Sequence, residues 1–222
     1  MAVVEKNIEM ENIYENIEYD GFHTFYQGVF SNFYASEFWD PQFFIDKDEI
    51  NSTREPDNSV RFENVEQYMH ASKALLFKDF TVFNEIMKEK DPMKAKKLGR
   101  KVGNFKESIW KDVCRDIVCR GCCLKFSQNQ FLRREMLKTD KQLFVECAPR
   151  DIRWGVGLGV KNPKTKIPGQ WRGLNWLGQC LTVAKQFMQK YDELRVYDNV
   201  KKNRDAMSVV YRDILPRLPR LE

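Results

Sequence analysis

Glu66, His70 and Lys73 stand at i, i+4 and i+7 in one apolar-patterned stretch. At about 100° per residue in a helix, Glu66 and Lys73 project only about 20° apart. They fall about a quarter turn off the centre of the apolar stripe, where a cleft can open. The bland form of this pattern is a solvated ion pair on a helix face. The chemical form is a carboxylate and an amine converging on one substrate, with burial tuning both groups.

A second constellation runs from Ala148 to Gly159. Pro149, Asp151 and Trp154, then alternating Gly155, Gly157 and Gly159, exclude regular helix. Glycine at every second position allows close backbone approach to a ligand. The same composition also suits a loop whose Trp plugs the core. It does not fit the dinucleotide-binding fingerprint, which needs a strand, a Gly-rich turn and a helix. Trp171, Asn175 and Trp176 follow, and most tryptophans are scaffold.

The run Lys94–Arg100, and Lys125 with Gln128 and Asn129, offer either phosphate contacts or a solvated helix face. Cys119 and Cys122 form a C-x-x-C, but the chain has 2 His and no second such pair. Zinc needs about four ligands, so structural thiols are expected and no metal site. No Walker loop, G-x-S-x-G elbow or Cys–His dyad is evident.

The elements that must position these residues can be sketched from pattern. Gly21–Trp39 is crowded with aromatics and reads as β-type. Asp46–Ser59 reads as a surface loop and Val60–Phe62 as a short strand. Asn64 with Gln67 reads as a capping box opening a helix with core residues Val65, Tyr68, Met69, Ser72, Leu75 and Leu76. Asp91-Pro92 starts another helix that Gly99 closes. Ser108–Lys138 is helical, with a break expected near Gly121. Gln142–Cys147 alternates as a strand, and Leu174, Leu177, Leu181, Ala184, Phe187 and Tyr191 mark a final amphipathic helix.

The expected fold class is α+β, a helix-rich single domain with a small β-sheet. Residues 1–18 are expected to be a polar arm, 19–191 the domain, and 192–222 a charged extension. The chain has 222 residues, 42% hydrophobic and 13% aromatic, which suits a sizeable core and excludes wholesale disorder. A net charge of +5 is a mild basic excess rather than a polybasic character. No apolar run approaches about 18 residues, so no membrane span or membrane partner is expected. The acidic start does not read as a signal peptide, and cysteines inside helical patterns point to reduced thiols in the cytoplasm or nucleus.

Taken in order, several blocks resemble the NADAR (YbiA-like) family. They are Phe30–Tyr34, Phe62–Tyr68 with Lys73, Ala95–Arg100, Trp110 with Arg115, Lys125–Asn129, Ala148–Gly157 and Trp171–Gly178. The likeness spans about residues 21–190. Gln67 stands where the family often has His, and Phe43–Ser59 looks longer than in a minimal member.

The resemblance implies hydrolysis of N-glycosidic bonds to ribose, without cofactor or metal. Two substrate classes go with it: phosphoribosylamino-pyrimidine intermediates of riboflavin synthesis, and ADP-ribose on the amino group of guanine in DNA or RNA. Both join ribose C1 to an exocyclic amine. The expected catalytic residues are Glu66, shuttling protons, Lys73, attacking C1 to form a Schiff base, and Asp151, orienting a ribose hydroxyl or assisting as a second carboxylate. Direct attack by water, with Glu66 as base, is the alternative route. Trp110 and Trp154 are expected to wall the base, and Asn32, Phe33, Lys97, Arg100, Gln128, Gly155 and Gly157 to contact the rest of the substrate. A non-catalytic reader of ADP-ribose or nucleic acid is the competing class; a carboxylate in the pocket argues against it.

Overall fold

The computed structural model describes residues 13–14, 17–40, 43 and 59–193. Two strand pairs and six α-helices make up the described fold, an α+β arrangement rich in helix. β1 (Phe22–Phe25) pairs in parallel with β4 (Leu143–Glu146), placing Phe25 opposite Glu146. β2 (Phe38–Asp40) pairs antiparallel with β3 (Val60–Phe62).

The aromatic stretch from Gly21 to Trp39 is strand only at its two ends. Between them the chain turns, with Gly28 at φ +82°, where a left-handed backbone favours glycine. Phe30 leaves this turn to stack on Phe126 and lean on Phe144, at centroid distances of 5.8 and 4.7 Å. The aromatics are therefore there to fill a core between turn and helices, not to line a pleated sheet.

α1 (Val65–Leu76) opens as the capping pattern predicts: the Asn64 side chain accepts from the Gln67 N–H at 2.8 Å. Gln67 reaches back to accept from the Glu63 N–H at 2.8 Å, one residue short of a strict box, and its Nε2 donates to the Ile86 and Glu89 carbonyls. Gln67 thus ties α1 to the end of α2 (Phe80–Met87) and is buried. α1 is buried almost all round, Glu66 and His70 included. α3 (Pro92–Gly99) is capped by Asp91, as expected.

α4 (Glu107–Gln128) runs straight through Gly121, where a break was expected. A Cβ at that position would lie 2.9 Å from the Tyr68 ring, so the glycine admits α1 rather than ending α4. The break falls instead at Asn129, whose side chain caps α5 (Gln130–Leu137). α6 (Trp176–Glu193) starts after Leu174, which is 55% exposed and belongs to the preceding loop; Leu177, Leu181 and Ala184 are buried as the stripe requires. Tyr191's side chain and the Asp46–Ser59 loop, save Ser59, lie outside the described residues.

All six cysteines are buried free thiols. Within the segment read as an arm, Tyr14 packs into the core and its hydroxyl donates to Asp116 at 2.7 Å. The centre of the fold holds a buried ion pair: Arg120 Nε donates to Asp40 Oδ2 at 2.8 Å, and the Tyr68 hydroxyl donates to the same oxygen at 2.9 Å. No described helix is long and apolar enough to cross a membrane.

Candidate active site

A cavity of about 960 Å³ opens between the 26–35 turn, α3, the end of β4 and the loop that follows it. Phe33, Lys97, Arg100 and Asp151, expected from sequence, all line it. Lys96, Glu146 and Arg153 line it too.

Glu66 forms the wall behind Lys96. It is 3% exposed, and its Oε1 lies 3.4 Å from Lys96 Nζ and 3.2 Å from His70 Nε2. Lys96 Nζ also sits 5.3 Å above the Phe33 ring, bridging the buried carboxylate and the open cavity. Asn32, expected to contact substrate, instead fixes this wall: its carbonyl accepts from the Glu66 N–H at 3.1 Å, and it is 7% exposed. His70 packs directly on Gly99, where a Cβ would fall 2.1 Å from Nδ1. That glycine thus permits close contact between α1 and α3. It does more than close a helix.

Lys73 leaves the same face of α1 one turn further on. Its Nζ donates to the Gly99 carbonyl at 3.0 Å and lies 3.9 Å from the Phe105 ring centroid. Burial, chiefly, and the nearby Arg153 hold its pKa below the usual lysine range, while Glu107 pulls the other way. Trp110 lies beneath it, 5.9 Å from Nζ, and so accompanies Lys73 rather than the cavity. Lys73 itself is not among the cavity-lining residues.

Asp151 faces the cavity but has half its carboxylate engaged, since Oδ1 accepts from the Arg153 and Trp154 N–H groups at 3.0 and 2.8 Å. Trp154 packs edge-on against Trp176 at 5.8 Å and lies half-buried against the core. Gly155 and Gly157 serve packing: a Cβ would meet the Glu146 carbonyl at 2.8 Å and Arg172 Cβ at 2.9 Å, respectively. Gln128 is spent on the Trp39 backbone, accepting from its N–H at 2.9 Å and donating to its carbonyl at 2.6 Å. Lys125, read as a phosphate contact, is 1% exposed and donates to the Val29 and Ser31 carbonyls at 2.7 and 2.9 Å. It fastens the cavity's rim from inside. Gln128, Trp154, Gly155, Gly157, Asn32 and Trp110 are thus placed off the cavity by geometry that spacing alone does not reveal.

Glu146 is the residue that sequence reasoning missed. It ends β4, with its N–H donating to Asn175 Oδ1 at 3.0 Å and its carbonyl accepting from the Val156 N–H at 2.9 Å. Its Oε2 is shielded from solvent and has no hydrogen-bond partner. Burial pushes its pKa up to about 8, the Asp151 and Glu66 carboxylates add to that, and Lys96 opposes it. The only signal in the sequence was a carboxylate closing a strand next to the Pro-Arg-Asp loop. Among the described residues, no group of three or more His, Cys, Asp or Glu is placed to hold a metal ion.

Residues 22–189 match the NADAR domain family. The protein irg-1 of Caenorhabditis elegans is 36% identical over 190 residues, covering 84% of this chain and 85% of that protein. A protein of Acanthamoeba polyphaga mimivirus named N-glycosidase R617 is 40% identical over 131 residues, covering 59% of this chain and 77% of its own length. The NMR structure of the E. coli protein YbiA shares the fold at a TM-score of 0.57 with 23% identity, over 82% of this chain and 94% of YbiA. The chain belongs to the NADAR family.

Proposed function

We propose that the protein hydrolyses N-glycosyl bonds between ribose C1 and an exocyclic base amine, and that its substrate is ADP-ribose carried on guanine in nucleic acid. The observation that carries this reading is Glu66, a nearly buried carboxylate joined to the cavity through Lys96, in a family with a relative named as an N-glycosidase. The cavity's volume, about 960 Å³, is roomy for a phosphoribosyl monomer and suits a dinucleotide. Lys97, Arg100 and Arg150 at its mouth are exposed cations suited to a diphosphate. Tyr26 and Tyr34 offer exposed rings for base stacking.

In the covalent route, the amine lone pair expels the ring oxygen from C1, and Glu66 supplies the proton that oxygen takes. Lys73, whose pKa burial lowers, adds as the neutral amine to C1 of the resulting iminium and sheds to solvent the proton its nitrogen then carries. The base amine departs with the C1–N electron pair and a proton, and the Lys73 lone pair closes the Schiff base to C1. Water, deprotonated by Glu66, adds to it, and the lysine leaves as free amine while the sugar recloses. Direct attack by water is the second reading, favoured by the place of Lys73 Nζ on the Gly99 carbonyl, off the cavity lining.

Incubation with a guanine-ADP-ribosylated oligonucleotide should release free ADP-ribose, and Glu66→Gln should lower that rate by about 10²–10⁴-fold. Borohydride added during turnover should trap the sugar on Lys73 in the covalent route and nothing in the direct one. Cleavage of a phosphoribosylamino-pyrimidine alone would move the substrate to riboflavin intermediates. Tight ADP-ribose binding without any cleavage would make the protein a reader.

A further inference from the structure

We propose that Glu146 is a second catalytic carboxyl of this cavity, the acid that protonates the base amine as it departs; this rests on the N-glycosidase reading above. The geometry is that of an acid waiting for a partner. Its backbone is held on three sides, by Phe25 across the β1–β4 pair, by the Asn175 side chain and by the Val156 N–H. Its side chain lines the cavity with one oxygen shut off from water and unbonded. A carboxyl with one oxygen shut off from water and left without a donor is costly as an anion and far less so as a neutral acid.

The groups that face it come from each element packed around it. Asp151 comes from the following loop, Glu66 from α1, Lys96 from α3 and the Cys122 thiol from α4. Burial first, then the Asp151 and Glu66 carboxylates, outweigh the one ammonium and favour the protonated form. Glu66 has the opposite surroundings, with Lys96 and His70 against its oxygen. Two carboxyl groups in such different surroundings divide the work, Glu146 serving the departing amine and Glu66 the ring oxygen and the water.

The step balances as follows. As the C1–N bond breaks, its electron pair goes to nitrogen, which takes the Glu146 proton. The base leaves as a neutral amine, and C1 is held by Lys73 or by the incoming water. Glu146 remains as carboxylate and regains its proton from solvent once the base has gone. Glu66 is then free to serve the ring oxygen and the water.

The test compares wild type with Glu146→Gln, which keeps shape and neutrality but cannot give up a proton. On the guanine-linked substrate, kcat should fall by about 10²-fold or more with KM little changed. Wild-type kcat/KM should decline as pH rises through about 8, and the variant should lack that limb. Formate should restore turnover to Glu146→Ala. A stability readout needs no substrate. With a folded value of about 8 against an ordinary 4.5, the unfolded chain loses its proton first as pH rises. Wild type should therefore lose melting temperature relative to Glu146→Gln between those two values, with a plateau above the higher one. Melting curves that stay parallel from acid to alkaline pH would overturn the protonated state. Wild-type turnover in Glu146→Gln, in a protein that does cleave the substrate, would overturn the role and leave the N-glycosidase reading standing. If wild type cleaves neither substrate, that reading fails and the catalytic role goes with it, whatever the melting curves show.

Discussion

Asp40 and Glu146 both end short strands and each has a carboxylate oxygen shut off from water, yet their company differs. Asp40 meets Arg120 through two nitrogens and the Tyr68 hydroxyl besides. Glu146 has an oxygen with no partner and a cavity in front of it. The lysines repeat the contrast. Lys125 is buried on two carbonyls that shape the rim, whereas Lys73 is half-buried on one carbonyl and an aromatic ring. Groups of the first kind fasten the scaffold, because a buried polar group is tolerable once its bonds are filled. Those of the second kind remain available for chemistry.

The largest effect that sharpens this contrast should come from Arg120→Met, which leaves Asp40 buried without its cation. It should cost about 3–5 kcal/mol in a denaturant titration. Lys125→Met orphans the Val29 and Ser31 carbonyls, and each such loss costs about 1–3 kcal/mol. Burial lowers the folded Lys125 value from 10.5 to about 7. As pH falls through that interval, the unfolded chain takes up a proton that the folded one does not, and wild type loses stability. The deficit of Lys125→Met should therefore be widest at alkaline pH and narrow toward neutrality. By loosening the turn that carries Phe33, the same variant should also raise KM. Smallest of all, Lys97→Ala and Arg100→Ala, at exposed positions, should raise KM severalfold with kcat unchanged. A fall in kcat alone would place them at the reacting atoms instead.

Local signals carried well into the fold. The Asn64 and Asp91 caps, the Val60–Phe62 strand and the stripe of α1 depend on neighbours within a few residues, so they are legible in sequence. Gly121 misled because its reason is Tyr68, on another helix. At the candidate site, the family blocks coincide with the cavity lining at Phe33, Lys97, Arg100 and Asp151. Gln128 and Trp154 looked available because nothing in their spacing reveals the Trp39 backbone or Trp176 that occupies them. Glu146 looked like a strand residue because its character comes from desolvation and then from Asp151 and Glu66, all of them products of folding.

The most direct measurement sets Asp40→Asn beside Glu66→Gln, with melting temperature and ADP-ribose release recorded on the same samples. The expected pattern is crossed: Asp40→Asn melts well below wild type but turns over normally per folded molecule, while Glu66→Gln stays folded and loses about 10²–10⁴-fold in rate. Equal turnover in Glu66→Gln and wild type would contradict the account, as would a loss in Asp40→Asn that persists once unfolded protein is discounted.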